Sequence, residues 1–127
     1  MSLFKQKVID VIRLVPFGTV VSYGQVAVMI GVPRAARQVG WILNSTEGKD
    51  DLPWWRVMNN VGYLSIRGTK LSDKELQAKL LRAEGIEVND DFTLDMKKYR
   101  FRPDEKFLKR FQLTDECIQM VREKYLL

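Results

Sequence analysis

SYGQVAVMIGVPRAARQVGWIL, running from Ser22 to Leu43, is the stretch whose reading decides the fold. Ser22 and Gln25 stand three apart ahead of an apolar run, the pattern of a capping box at a helix N-terminus. The helix they open carries Val26, Ala27 and Ile30, and Gly31 stops it. Pro33 suits the first position of a second helix. That helix runs to about Leu43, with Ala36, Val39, Gly40 and Leu43 on one face. Two short helices joined by a glycine-containing turn read as a helix-turn-helix. The second is the expected recognition helix, with Arg34, Arg37 and Gln38 open to solvent.

Upstream, Phe4, Val8, Val11, Ile12 and Val15 recur at spacings of three and four, one stripe of an amphipathic helix over residues 2–15. Pro16-Phe17-Gly18 ends it, and Thr19-Val20-Val21 links it to Ser22. Downstream, residues 45–52 are a polar loop and Pro53 to Met58 is apolar and aromatic. Asn59-Asn60-Val61-Gly62 reads as a turn, with Tyr63 to Ile66 as a returning strand. A second capping box at Ser72 and Glu75 opens a helix with Leu76, Leu80, Leu81 and Ala83, ended by Gly85. Ile86 to Leu94 alternates weakly. Beyond Pro103 the pattern is one or two amphipathic helices, the last capped at Thr114, with Phe107, Phe111, Ile118 and Val121 as its buried side. The expected fold is mainly α with a small β element around a winged-helix-like helix-turn-helix.

Composition narrows the chemistry. With 127 residues, 46% of them apolar and 29% charged, the chain suits one soluble domain. No apolar run approaches the roughly 18–20 residues that cross a bilayer. The start, MSLFKQKVID, places charges where a signal peptide needs its apolar stretch. A cytoplasmic location is expected, or a nuclear one in a eukaryote. Histidine is absent, which removes Ser-His and Cys-His nucleophiles and imidazole-bound metals. Cys117 is the single cysteine, so neither an internal disulfide nor a thiolate zinc cluster can form. No metal or cofactor is expected. The net charge of +5 points to an anionic partner, with nucleic acid first.

Four pieces in order carry a family resemblance. They are Pro16-Phe17-Gly18-Thr19-Val20-Val21-Ser22-Tyr23-Gly24, Arg34-Ala35-Ala36-Arg37-Gln38-Val39-Gly40, Pro53-Trp54-Trp55-Arg56-Val57 and Leu81-Arg82-Ala83-Glu84-Gly85. Together they resemble the DNA-binding half of the O6-alkylguanine-DNA alkyltransferases over about residues 3–103. In that family the third piece reads Pro-Cys-His-Arg-Val, and its cysteine accepts the alkyl group. Trp54 stands at the cysteine position, the signature of the alkyltransferase-like proteins, which hold the lesion without reversing it. The residue chemistry agrees. Alkyl transfer needs an activated thiolate. Trp54 has no nucleophilic atom, and the Trp55 indole only donates. Glu84 matches the glutamate that orients the family's histidine and has lost that partner. The Trp55 N–H is the expected replacement donor. Thr46, where alkyltransferases commonly carry asparagine, is a further departure. Cys117 lies outside the match and reads as an inert packed thiol.

The resemblance implies roles. Arg37 is the arginine that fills the base stack when a nucleotide leaves, helped by its planar guanidinium. Arg34 and Gln38 flank it on the DNA side. Ala35 and Ala36 are small enough to let the helix enter a minor groove. Tyr23 contacts the extruded guanine. Trp54, Trp55, Leu43, Val57 and Ser65 surround it, with the Trp54 and Val57 carbonyls facing the guanine amine. Lys5, Lys7 and the basic cluster over 97–110 read as solvated faces, with phosphate contact by some of them left open. The implied partners are duplex DNA containing O6-alkylguanine and nucleotide excision repair proteins, of the UvrA type if the source is bacterial. The implied protein is a monomeric damage sensor rather than an enzyme, with residues 1–103 as the DNA-binding domain and 104–127 as a helical extension packed on it. Two other readings stay open at this point. A helix-turn-helix transcriptional regulator would prefer one duplex sequence. An active alkyltransferase is disfavoured by Trp54.

Overall fold

The computed structural model describes residues 3–45, 52–64, 74–110 and 113–125. Its elements are α1 (Leu3–Arg13), β1 (Val21–Ser22), α2 (Tyr23–Met29), α3 (Ala36–Ser45), a 3₁₀ turn (Trp54–Arg56), β2 (Val57–Met58), α4 (Lys74–Ala83), α5 (Met96–Tyr99), α6 (Glu105–Lys109) and α7 (Asp115–Tyr125). The chain is mostly helical with a two-stranded parallel sheet.

The helix-turn-helix forms for the reasons its residues suggest, with two differences. Ser22 caps α2, its hydroxyl accepting from the Gln25 amide N–H at 3.0 Å. Gln25 does not reach back to complete the box. Its side chain is fully buried, so the amide must find interior partners. It donates to the Phe101 carbonyl at 2.8 Å and accepts from Arg100 at 2.9 Å. Gly31, at φ +84°, ends α2. Its N–H bonds the Val28 carbonyl and the Val32 N–H bonds that of Ala27, the pairing of a Schellman motif. Pro33 is not the first residue of the next helix. The Ala35 N–H bonds the Val32 carbonyl at 3.0 Å, making 32–35 a tight turn with proline at its second position, where the fixed φ fits. α3 therefore starts at Ala36.

α1, α2 and α3 share one core through Val8, Val11, Ile12, Val26, Met29 and Val39, all fully buried. Leu108 of α6 and Val121 of α7 enter the same core, and α7 packs on α2. The Thr114 hydroxyl caps α7 at the Cys117 N–H, as the Thr-Asp-Glu run predicts. A second core gathers Val20, Met58, Leu64, Ala78, Leu81 and Leu94 under α4.

The β element differs from a hairpin. β2 pairs with β1 in parallel, Val21 opposite Val57 and Ser22 opposite Met58. Tyr63 instead bridges Thr93 antiparallel. Ile66 and the Ser72 capping box lie outside the described residues. The 59–62 turn forms, with the Asn59 side chain accepting from the N–H groups of Val61 and Tyr63. Gly62 there has φ +86°, and a Cβ would collide with the Leu94 carbonyl, so glycine is required on two counts. The weakly alternating 86–94 stretch becomes a turn at 89–92, closed by the Phe92 N–H on the Asn89 carbonyl. α5 was not legible in the periodicity. The Asp95 carboxylate caps it by accepting from Lys97 N–H.

Candidate nucleic-acid interface and lesion pocket

The tight turn and α3 present a continuous exposed surface. Arg34, Arg37, Gln38 and Asn44 are exposed and Ala36 is half-buried. Trp41, four residues and so about one turn beyond Arg37, is 61% exposed. Beside it, Phe4, Gln38, Trp41 and Ile42 line an open groove of about 340 Å³. Sequence reading missed Trp41, although an unburied tryptophan beside Arg37 on the helical wheel is the available signal. Ala35 differs from its expected place. It is 4% exposed and belongs to the core, so its side chain packs inward.

Tyr23 opens α2, and its ring lies against α3 at Gly40, about 3.9 Å from where a Cβ would sit. Burial pushes its hydroxyl pKa up, so the phenol stays protonated at neutral pH. The parallel register carries Trp54–Val57 to the strand that precedes Tyr23. Trp54 and Tyr23 are both partly buried against the main core. Trp54 and Trp55 meet edge to face, with centroids 5.9 Å apart.

Leu43 and Val57 sit deeper than a pocket wall open to solvent, at 4% and 0% exposure. The Val57 carbonyl accepts from the Gln77 amide at 3.0 Å, and the Trp54 carbonyl from the Val57 N–H. Both carbonyls expected to face a guanine amine thus already hold one internal bond, leaving each a second lone pair. Ser65 and Thr46 lie outside the described residues.

Glu84 is where the local fold and the site meet. Gly85, at φ +85°, closes α4 with a second Schellman motif, Ile86 N–H on the Leu81 carbonyl, and this fixes Glu84 at the helix end. Its carboxylate accepts from the Trp55 indole at 2.5 Å, from the Gly18 N–H at 2.7 Å and from Arg56 Nε at 3.0 Å. Arg56 also pairs with it through Nη2 at 3.0 Å and donates through Nη1 to the Val15 carbonyl at 2.9 Å. The two side chains are only 13% and 5% exposed. The expected Trp55-to-Glu84 bond is therefore present. Burial alone would push the Glu84 carboxyl up. The Arg56, Gly18 and Trp55 donors outweigh it and hold the pKa below the usual carboxylate range. The network ties the segment just after α1, the Phe17-Gly18 turn, the 3₁₀ turn and the end of α4 into one frame. Arg56 was missed as a functional residue because Glu84 is 28 positions away in the chain. Arg100 was missed likewise. It joins Gln25 at the start of α2 to Asn60 in the 59–62 turn, at 2.9 Å each.

Cys117 is on α7 and partly buried. Among the described residues no group of three or more His, Cys, Asp or Glu could hold a metal ion. No described helix is long and apolar enough to cross a membrane.

The profile of the 6-O-methylguanine DNA methyltransferase DNA-binding domain matches residues 3–86. The chain belongs to the alkyltransferase-like family. It is 40% identical over 98 residues to the DNA base-flipping protein of Escherichia coli (strain K12), covering 77% of this chain and 74% of that protein. It is 32% identical over 107 residues to alkyltransferase-like protein 1 of Schizosaccharomyces pombe, covering 81% of this chain and 98% of that one. The crystal structure of the S. pombe protein, in complex with damaged DNA containing O6-carboxymethylguanine, superimposes with a TM-score of 0.74 at 32% identity over the same shares. The matched profile ends at residue 86, so α5, α6 and α7 lie beyond it.

Proposed function

We propose that this chain is a non-enzymatic sensor of O6-alkylguanine in duplex DNA. α3 docks in the minor groove, Arg37 enters the stack, and the damaged nucleotide swings toward Tyr23, Trp54 and Trp55. Flipping costs a few kcal/mol and costs least for a poorly paired base. The small side chain of Ala36 permits close approach, and Trp41 adds an apolar contact at the groove wall. The observation that carries the reading is the pair Trp54–Trp55 with Trp55 bound to Glu84. An aromatic wall occupies the place of the family's thiol and imidazole, and the glutamate that would orient a base holds an indole instead. Such a site can retain an alkylated base and has no atom to accept the alkyl group. A held lesion is useful as a flag, and nucleotide excision repair proteins are the proposed readers, UvrA-type in a bacterium.

The test compares affinity for an O6-methylguanine duplex, its undamaged twin and a scrambled sequence, followed by mass spectrometry of the protein. The expected result is tighter binding to the lesion in any sequence context and an unchanged protein mass. A preference for one undamaged sequence would favour a transcriptional regulator instead. A methylated protein would establish an enzyme.

A further inference from the structure

Charge is unevenly placed along the chain. Residues 97–110 hold seven basic residues against two acidic ones, a local net charge of +5. Some of these cations have structural work inside the fold. Arg100 engages Gln25 and Asn60, and Arg102 donates to the Lys97 carbonyl. α6 is different. Leu108 is buried and Phe107 is half-buried in the main core. Lys106, Lys109 and Arg110 stand at i, i+3 and i+4, on the opposite side, and all three are exposed. No salt bridge joins them to a carboxylate among the described residues. Asp104, which lines one groove with Lys106, Phe107 and Arg110, has its carboxylate engaged as the α6 cap, on the Phe107 N–H at 2.8 Å.

The chain on either side of α6 limits where this cluster can lie. Leu113, three residues beyond Arg110, packs on Gly31, its Cδ2 3.5 Å from where a Cβ would stand. α7, which follows, packs on α2. Gly31 begins the turn that leads through exposed Val32 and Pro33 to exposed Arg34 and on to Arg37. Arg110 and Arg34 are each three residues from this one contact, at most about 11 Å of chain on either side. The C-terminal end of α6 is therefore tethered close to the turn that leads to Arg34 and Arg37.

We infer that Lys106, Lys109 and Arg110 form a second phosphate-binding surface, which takes the DNA backbone flanking the stretch engaged by α3. The inference rests on the duplex-DNA reading above. Three exposed cations on one helical face suit a row of phosphodiesters, which they meet as charges without reading sequence. The surface adds affinity that is blind to the lesion. It lengthens the footprint, while discrimination stays with Arg37 and Tyr23.

The experiment uses the full chain carrying Lys106→Ala, Lys109→Ala and Arg110→Ala together. Binding to matched damaged and undamaged duplexes is measured over a range of salt. Each lost phosphate contact lowers the slope of log affinity against log salt by about 0.9, so a fall of about 2 to 3 is expected. Affinity near 0.1 M salt should drop at least several-fold and by the same factor on both duplexes. Lys79→Ala with Lys124→Ala, which removes exposed cations from α4 and α7, should leave the slope within about 0.5 of the parent, well under one contact. An unchanged slope in the triple variant overturns the inference. So does an equal loss per charge in the control, which would make the effect one of net charge alone. Failure of the underlying reading shows separately, as an unmodified protein that does not prefer the damaged duplex.

Discussion

Glu84 shows how one side chain can serve both the fold and the site. It is a nearly buried carboxylate with donors from three residues in two segments, and its depressed pKa makes it a source of acid sensitivity. Its stabilising contribution is fully present above the unfolded carboxylate value of about 4.3 and is lost as pH falls through the lower folded value. Glu84→Gln leaves the Arg56 guanidinium buried and unpaired, so a loss of about 3 kcal/mol is expected. Urea melts from pH 3 to 7 check this, with the difference between variant and parent shrinking toward the acid end. The neighbouring tryptophans define a chemical prediction. Trp54→Cys alone should give little alkyl transfer, because a thiol near its reference pKa of about 8.5 is only a few per cent thiolate at neutral pH. Adding Trp55→His supplies a base already within reach of Glu84, and transfer should rise. Mass spectrometry after incubation with an O6-methylguanine duplex reads the methyl on residue 54. Equal rates in the single and double variants would remove the assigned role of position 55.

At the scale of elements, α3 divides its residues cleanly. Val39 and Leu43 face the core, while Arg37, Gln38 and Trp41 face outward. The inward side of Val39 and Leu43 was readable from the spacing of apolar residues, and so was the solvent exposure of Arg34, Arg37 and Gln38, but not that of Trp41. The start of the helix was not, because Pro33 fits a tight turn as well as a first helical turn, and the Val32–Ala35 hydrogen bond decides between them. Arg37→Ala should weaken lesion binding more than the loss of one phosphate contact does, since under the proposed function it removes the stack-filling group together with a charge. The check is fluorescence of a base analogue beside the lesion, measured with affinity. If neither changes, Arg37 is a solvated arginine. Tyr23→Ala should reduce the ratio of damaged to undamaged affinity. Equal losses on both duplexes would make Tyr23 a general contact.

For the whole molecule, α6 and α7 contribute Leu108 and Val121 to the core that α1, α2 and α3 build. Val121 is fully buried there, so Val121→Ala should cost about 2 kcal/mol by removing two packed methyl groups. Thermal unfolding should shift as one transition followed equally by tryptophan fluorescence and far-ultraviolet circular dichroism. A separate early transition in the dichroism alone would mean that the last helices melt independently of the DNA-facing part.

What the chain determined by itself is local in origin. Helix periodicity, the Ser22 and Thr114 caps, the glycines that end α2 and α4, and the absence of histidine and of a thiol at position 54 all depend on neighbours within a few residues or on composition. From these came the helix-turn-helix, the resemblance and the expectation that no thiol acts at position 54. Tertiary structure alone decided what depends on distant partners. The parallel pairing of Val21 with Val57 carries Trp54 and Trp55 beside the start of α2, where the Asn59–Gly62 turn had suggested a hairpin. Packing sends Ala35 inward and leaves Trp41 outside. Gln25 abandons its cap for Arg100 and Phe101, 75 and 76 positions away, because a buried amide must be satisfied wherever partners exist. Arg56 and Glu84 meet for the same reason. Two charges withdrawn from water are held only by each other and by nearby dipoles, and no spacing in the sequence records where those come from.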